Sequence, residues 1–313
     1  MNVPISIERY VSSPIGQKIS EAYKPREVPY SNYRIVSTHA NQKSIFVANI
    51  LEELEYKRSD RKLYWWIQSL PKTARNFPTL FSKEEKRMLK GSALLRLIEF
   101  QIFDWKTDYE DICQALPNFR DSVSFDDYQY WRLMVQSRNF GFKKHDGRQE
   151  VVHQYIFPYI DLINHNTKPN VKWVILQHEL KLIALEEIAE SDEVFLDYGF
   201  TESNSQFFID YGFLSENSEN DTVCFFLNPY YFKDQQLFNN KMDWLNSNKF
   251  LNGLYVFQFS TNWDLDVVKS GFGYLRFMAI DKNEDLVKFV EKFYGVWKFV
   301  EPISIYSDTK MLH

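Results

Sequence analysis

The sequence predicts an α+β protein: a β-rich domain split by a helical insertion, followed by a mostly helical C-terminal region. Three observations carry this. Up to about residue 40 the chain reads as short extended pieces broken by Pro4, Pro14, Pro25 and Pro29. From about Asn41 the apolar residues take up a helical period that lasts to about residue 140. Strand patterns then return in Val151–Ile163, Val171–Leu176, Leu180–Leu185 and Val194–Tyr198.

Within the helical stretch, Ile45, Phe46, Ile50, Leu51 and Leu54 form one apolar face, with Glu52, Glu53 and Lys57 opposite. Ser82 followed by Glu85 is a capping box, which predicts a helix continuing through Leu89, Leu94, Leu95 and Leu97. A further helix should run from Tyr109 to Leu116 and stop before Pro117, and Ser124 with Asp127 should open the next, through Tyr130, Leu133, Met134 and Ser137. After Glu202 a short helix should cover Phe207 and Phe208. From about Asp221 the chain reads as strand and loop, then as helices at Met242–Lys249, Leu265–Met278 and Glu284–Trp297. These patterns place one domain in residues 1–215, with its insertion at about 41–140, and a second in residues 216–313.

Composition narrows the function classes. With 44% hydrophobic and 17% aromatic residues in 313, a sizeable core is available, and most of the 27 Phe and 19 Tyr belong to it. A net charge of −5 argues against a dedicated nucleic-acid binder and is compatible with a basic protein or peptide substrate. Cys113 and Cys224 imply neither a disulfide framework nor a metal cluster. No window has the apolar length that crosses a bilayer, and MNVPISIERYVSS lacks the pattern of a secretory leader. The expectation is an intracellular protein without a membrane partner, cytoplasmic or nuclear, with the cytoplasm favoured.

The chemistry-bearing residues cluster in two pieces. The apolar run FPYIDLIN leads into Asn164-His165, and about thirty residues later a β-rich run ends in Asp197-Tyr198-Gly199. Asn and His each offer a donor and an acceptor, and a tyrosine closing a second strand can place its hydroxyl in the same pocket. A buried Asn-His pair with satisfied hydrogen bonds and a core tyrosine is the alternative reading. His165 has no second His, Cys or carboxylate at ligand spacing, so no metal site is expected.

In this order the two pieces resemble the C-terminal half of the SET domain. Tyr198-Gly199, Ser203-Asn204 and Tyr211-Gly212-Phe213 resemble the run of one branch, which holds the Rubisco large-subunit and ribosomal-protein lysine methyltransferases and the actin histidine methyltransferase. Trp66-Ile67-Gln68-Ser69-Leu70-Pro71, Phe81-Ser82-Lys83-Glu84-Glu85, Leu89-Lys90-Gly91-Ser92 and Ser137-Arg138-Asn139-Phe140 are similar to further motifs of that branch, in its order. The match covers roughly Pro14 to beyond Ile280, and is weakest in the C-terminal region, where Gly273-Tyr274-Leu275-Arg276 is the clearest correspondence.

The resemblance implies S-adenosylmethionine-dependent methylation of a lysine on a non-histone protein. Tyr198 takes the position of the tyrosine at the methyl-transfer centre. Asn164, His165, Asp161 and Arg138 match cofactor-holding positions, with Arg138 at the one that reaches the cofactor carboxylate. Phe213 matches the aromatic that stacks on adenine, and Tyr211 the one that lines the target channel. For both, ordinary core packing is the alternative. Phe140 and Ile160 stand where the branch separates acceptors, and both follow the lysine pattern, since Phe cannot hydrogen-bond an imidazole as an Asn would. Counting back from Glu27-Val28, the second glycine of the family's G-x-G turn falls on Gly16, whereas Pro14 replaces the first, and Ser191 stands where a later turn has Gly. These departures keep two alternatives open: a histidine-directed enzyme of the same branch, and a SET-derived interaction module with weak or lost cofactor binding.

Overall fold

In a computed structural model of the chain, the described residues are 5–23, 26–28, 35–37, 41–56, 61–145, 150–176, 179–199, 203–215, 221–227, 233–234, 237–247, 255–260 and 273–293. They divide into two compact units, one of residues 5–23 and 41–215, the other of 26–28, 35–37 and 221–293.

The N-terminal segment corrects the first expectation. Ile5–Ser6 is a strand (β1), but Glu8–Ser12 is a 3-10 turn and Pro14–Ala22 an α-helix (α1). Pro14 occupies the first helical position, where its missing N–H costs nothing and its fixed φ suits the helix. The Ser13 hydroxyl caps the turn by accepting from the Gly16 N–H at 3.0 Å. Pro14 therefore starts a helix where the sequence reading took it as a break. Arg26–Val28 (β2) and Ile35–Ser37 (β3) pair with each other as an antiparallel ladder and group with the C-terminal unit rather than with the first domain.

The helical insertion follows as expected. Helix α2 (Gln42–Tyr56) is capped by Asn41, whose Oδ1 accepts from the Lys43 N–H at 2.9 Å. It buries Val47 and Ala48 besides the expected Ile45, Phe46, Ile50 and Leu51, whereas Leu54 is exposed. Helix α3 (Arg61–Ser69) buries Trp66 and Ile67. The Ser82–Glu85 capping box forms and opens α4 (Lys83–Met88), which stops before Leu89 instead of running on. Gly91 turns the chain at φ +89°, and Ser92 caps a new helix, α5 (Ala93–Ala115), which absorbs the expected 109–116 helix into one continuous element. After the single turn α6 (Phe119–Ser122), the Ser124–Asp127 capping box opens α7 (Phe125–Arg138). The core of this half joins residues from β1, α1, α2, α3, α5 and α7.

Arg138 ends α7, and the next residue begins β4 (Asn139–His145), which pairs antiparallel with β5 (Glu150–Ile156). β5 in turn pairs with β1. β5 is shorter than the strand expected up to Ile163, because Pro158 cannot extend a ladder and Tyr159 adopts φ 73°, leading into a 3-10 turn at Ile160–Leu162. Then come β6 (Asn164–His165), the hairpin of β7 (Val171–Leu176) and β8 (Glu179–Ala184), β9 (Phe195–Leu196) and α8 (Asn204–Tyr211). Ser203 caps α8, and Gly212 ends it at φ 79° in the left-handed region.

The C-terminal unit pairs β10 (Thr222–Leu227) with β11 (Tyr255–Ser260) and adds α9 (Phe238–Ser247), helical residues 273–279 (α10) and α11 (Asn283–Phe293). Leu245, Tyr274, Phe277, Met278 and Leu286 form its core. Lys241 is buried there, its ammonium donating to the Met278 carbonyl at 2.6 Å. The parts of the expected helices at 248–249, 265–272 and 294–297 lie outside the described residues.

Candidate active site

The two chemistry-bearing pieces of sequence meet. β6 and β9 are parallel neighbours, with Asn164 opposite Phe195 and His165 opposite Leu196. Two residues past β9, Tyr198 is tied back to the first piece twice. Its N–H donates to His165 Nδ1 at 3.1 Å, and its hydroxyl donates to the Ile163 carbonyl at 2.5 Å. Burial pushes the Tyr198 phenol up to about 12, with the Arg138 guanidinium opposing and the Asp161 carboxylate adding to the rise.

Those bonds fix the His165 tautomer. Because Nδ1 accepts, the neutral ring carries its proton on Nε2, which donates to Ser215 Oγ at 3.1 Å. Ser215 is held by its own N–H, which donates to Asn204 Oδ1 at 2.9 Å. The Ser203-Asn204 motif thus does two things: Ser203 starts α8, and Asn204 holds the partner of His165. The Asp197 carboxylate lies 3.8 Å from Nδ1 and accepts from the Gly199 N–H at 2.9 Å.

Aromatic rings surround this point. Tyr211 packs on Tyr198 at a centroid distance of 4.9 Å and Phe213 at 6.2 Å, while Phe207 and Phe213 face His165 at 4.7 and 5.9 Å. Ile160 packs against the same cluster. Phe140 belongs to it too, but is fully buried in edge contact with Phe157 and Trp173 (5.4 and 5.5 Å). Being fully buried, it is not an open channel wall.

A second group of polar residues adjoins the first. Asp161 has a fully buried carboxylate whose Oδ2 accepts from the Trp66 indole N–H at 2.7 Å. Arg138 Nη1 donates to the Asp161 carbonyl at 3.0 Å and stands 3.8 Å from Oδ2. Arg138 Nε is buried without a hydrogen-bond partner. Asn164 is exposed, and its amide donates to Glu193 Oε1 at 2.6 Å.

Of the residues singled out from the sequence, Tyr198, His165, Asn164, Asp161, Arg138, Tyr211, Phe213, Ile160 and Phe140 all gather here. Gly16 lies in the first turn of α1 against Tyr10 and Val11, so its backbone is helical where the sequence suggested a glycine turn. Sequence reasoning missed Ser215, Glu193 and the role of Trp66. Trp66 alone carried a signal, since it opens one of the recognised motifs. Ser191, in the place of a family glycine, takes φ 79° and so keeps the backbone a glycine would adopt.

A sequence profile of the SET domain matches residues 32–199, more than half of the chain. The chain belongs to the SET-domain family. Among solved structures, its fold is similar to the SET domain of LSMT bound to methyllysine and AdoHcy, with a TM-score of 0.64 and 21% identity over 95% of this chain and 63% of that one. Rubisco LSMT bound to AdoMet matches with a TM-score of 0.63 and 19% identity over 95% of this chain and 63% of that one. At such identities the likeness is one of fold, and this chain spans less than two thirds of those proteins' length. A search of curated proteins found no match.

Proposed function

We propose that this chain is an S-adenosylmethionine-dependent protein-lysine N-methyltransferase acting on a non-histone protein. The observation that carries the reading is the double attachment of Tyr198 to the Ile163–His165 segment, inside a cluster of aromatic rings. The side chains fit the cofactor. Arg138 has a buried Nε–H without a partner, suited to a carboxylate, and Asn164 carries an exposed amide that donates to Glu193 Oε1. The ring of Phe213 suits stacking on the adenine of the cofactor. S-adenosylmethionine, when bound, supplies a methyl group on a cationic sulfur.

The chain's own residues then have defined tasks. Tyr198 spends its hydroxyl proton on the Ile163 carbonyl, so its oxygen lone pairs are left to accept from an amine N–H. With its phenol pushed up to about 12, Tyr198 stays neutral at physiological pH and orients the acceptor without acting as its base. Apolar and aromatic walls disfavour an ammonium and lower the lysine pKa toward the neutral nucleophile. Phe140 and Ile160, at the positions where the branch separates acceptors, follow its lysine pattern, which supports lysine over histidine as the acceptor. Activity therefore rises with pH while the amine deprotonates.

One observation favours a second reading, a SET-derived module that binds partners without catalysis: helix α1 stands where a glycine turn is expected. Calorimetry with S-adenosylmethionine separates the two. The enzyme reading expects saturable binding, weakened by about 1–3 kcal/mol in Arg138→Ala and in Asn164→Ala. Absence of binding by the folded chain favours the module.

A further inference from the structure

We propose that Trp66, on the helical insertion, is a positioning residue for the cofactor site. Its indole holds the Asp161 carboxylate and so keeps Arg138 available to an anionic ligand group. This rests on the methyltransferase reading.

The geometry carries the argument. Arg138 Nη1 stands 3.8 Å from Asp161 Oδ2, beyond hydrogen-bond reach, although the carboxylate is fully buried. Guanidinium and carboxylate groups that pair freely close to about 2.7–2.9 Å, and burial strengthens the attraction. What this oxygen accepts instead is the Trp66 Nε1–H, at 2.7 Å. Arg138 meanwhile is anchored by a hydrogen bond to the Asp161 backbone carbonyl at 3.0 Å and keeps the carboxylate only as an ion pair without a hydrogen bond, which leaves N–H donors unspent. Its Nε–H has no partner, and its side chain keeps 17% exposure. Trp66 itself is 2% exposed and packed near Phe46 in the core of the helical half. A guanidinium saturated by its own carboxylate would bind an external carboxylate poorly. The indole holds the oxygen nearest the guanidinium, Oδ2, in the orientation that keeps it 3.8 Å away. Trp66 and Arg138, from α3 and the end of α7, thus bracket Asp161, which makes the insertion part of the site.

The test is the affinity of the full chain for S-adenosylhomocysteine, measured by calorimetry. Trp66→Phe keeps an aromatic ring and removes the donor. Its Kd should rise about tenfold over wild type, the scale of one hydrogen bond to a charged group. In an Arg138→Ala background, adding Trp66→Phe should change Kd by less than about twofold, because the group it protects is already gone. Affinity of Trp66→Phe within about twofold of wild type overturns the proposal, as does an equal loss in both backgrounds, which marks a merely structural effect. Should Trp66→Phe alone fail to fold, the comparison moves to Asp161→Asn with and without Trp66→Phe. With no carboxylate to restrain, the two should agree within about twofold, and a tenfold further loss overturns the role. A wild-type chain that does not bind S-adenosylhomocysteine overturns the methyltransferase reading, and the Trp66 role falls with it.

Discussion

The backbone N–H of Tyr198 donates to His165 Nδ1 across 3.1 Å, a bond between residues 33 positions apart in the chain. It fixes the imidazole in one tautomer, and Ser215 takes the remaining proton. In Ser215→Ala that buried N–H loses its partner. The expected cost is about 1–3 kcal/mol in urea unfolding. A variant as stable as the wild type would contradict the tautomer assigned to His165.

Tyr198→Phe should lower the rate of methyl transfer by about a hundredfold or more while leaving cofactor affinity nearly unchanged, since a lone hydroxyl at the reacting centre acts on rate. It should also change the alkaline limb of stability. Burial raises the Tyr198 phenol from 10.0 to about 12 in the folded protein, so its contribution is complete below pH 10 and fades as pH climbs through 12. Tyr109 is raised to about 12 as well and Tyr274 upward, so removing Tyr198 should flatten only part of the fall. Stability of wild type and variant measured from pH 8 to 12 checks the sign: identical slopes would mean that Tyr198 titrates as an exposed phenol.

Gly16→Ala should destabilise the fold rather than act on the cofactor. The added Cβ would lie 2.2 Å from the Tyr10 carbonyl oxygen and 2.6 Å from that of Val11, backbone atoms that cannot rotate away. Overpacking of this kind costs about 1–3 kcal/mol, more than the roughly 1 kcal/mol that alanine gains over glycine in a helix. The melting temperature should drop, with cofactor affinity preserved in the protein that remains folded. Selective loss of affinity at unchanged stability would instead place the glycine in the cofactor site.

Ser191→Gly should do the opposite. Ser191 is exposed and held at φ 79°, which costs a non-glycine residue about 1–2 kcal/mol. Glycine removes that strain but loses more entropy on folding, so a net gain of about 0.5–1 kcal/mol is expected in thermal or urea unfolding. A destabilised variant would mean that the serine side chain contributes contacts that outweigh the strain.

What could be read from the sequence was local or repeated. Ser82, Ser124 and Ser203 each sit before a helix, and each caps one. The meeting of Asn164-His165 with Tyr198 was legible because an ordered set of motifs stood behind it. The misreadings share a cause. Pro14 and Gly91 are punctuation marks whose meaning depends on position: Pro14 begins a helix instead of breaking one, and Gly91 turns the chain between two helices that periodicity alone joined. Trp66–Asp161 spans 95 residues and Ser215–His165 spans 50, and no period or spacing encodes such contacts. The same holds for β2 and β3, whose extended pattern was plain but whose placement with the C-terminal unit was not.

Methyl transfer to a lysine ε-amine leaves a covalent mark that can be located. The direct measurement incubates the purified chain with isotopically methyl-labelled S-adenosylmethionine and a methylation-poor cell lysate, with Tyr198→Phe in parallel, and locates the label by mass spectrometry of peptides. The expected result is label on lysine ε-nitrogens of a non-histone protein, present with the wild type and absent or far reduced with Tyr198→Phe. Label confined to histidine rings would contradict the acceptor assignment, and no labelling above the Tyr198→Phe background would contradict the enzyme itself.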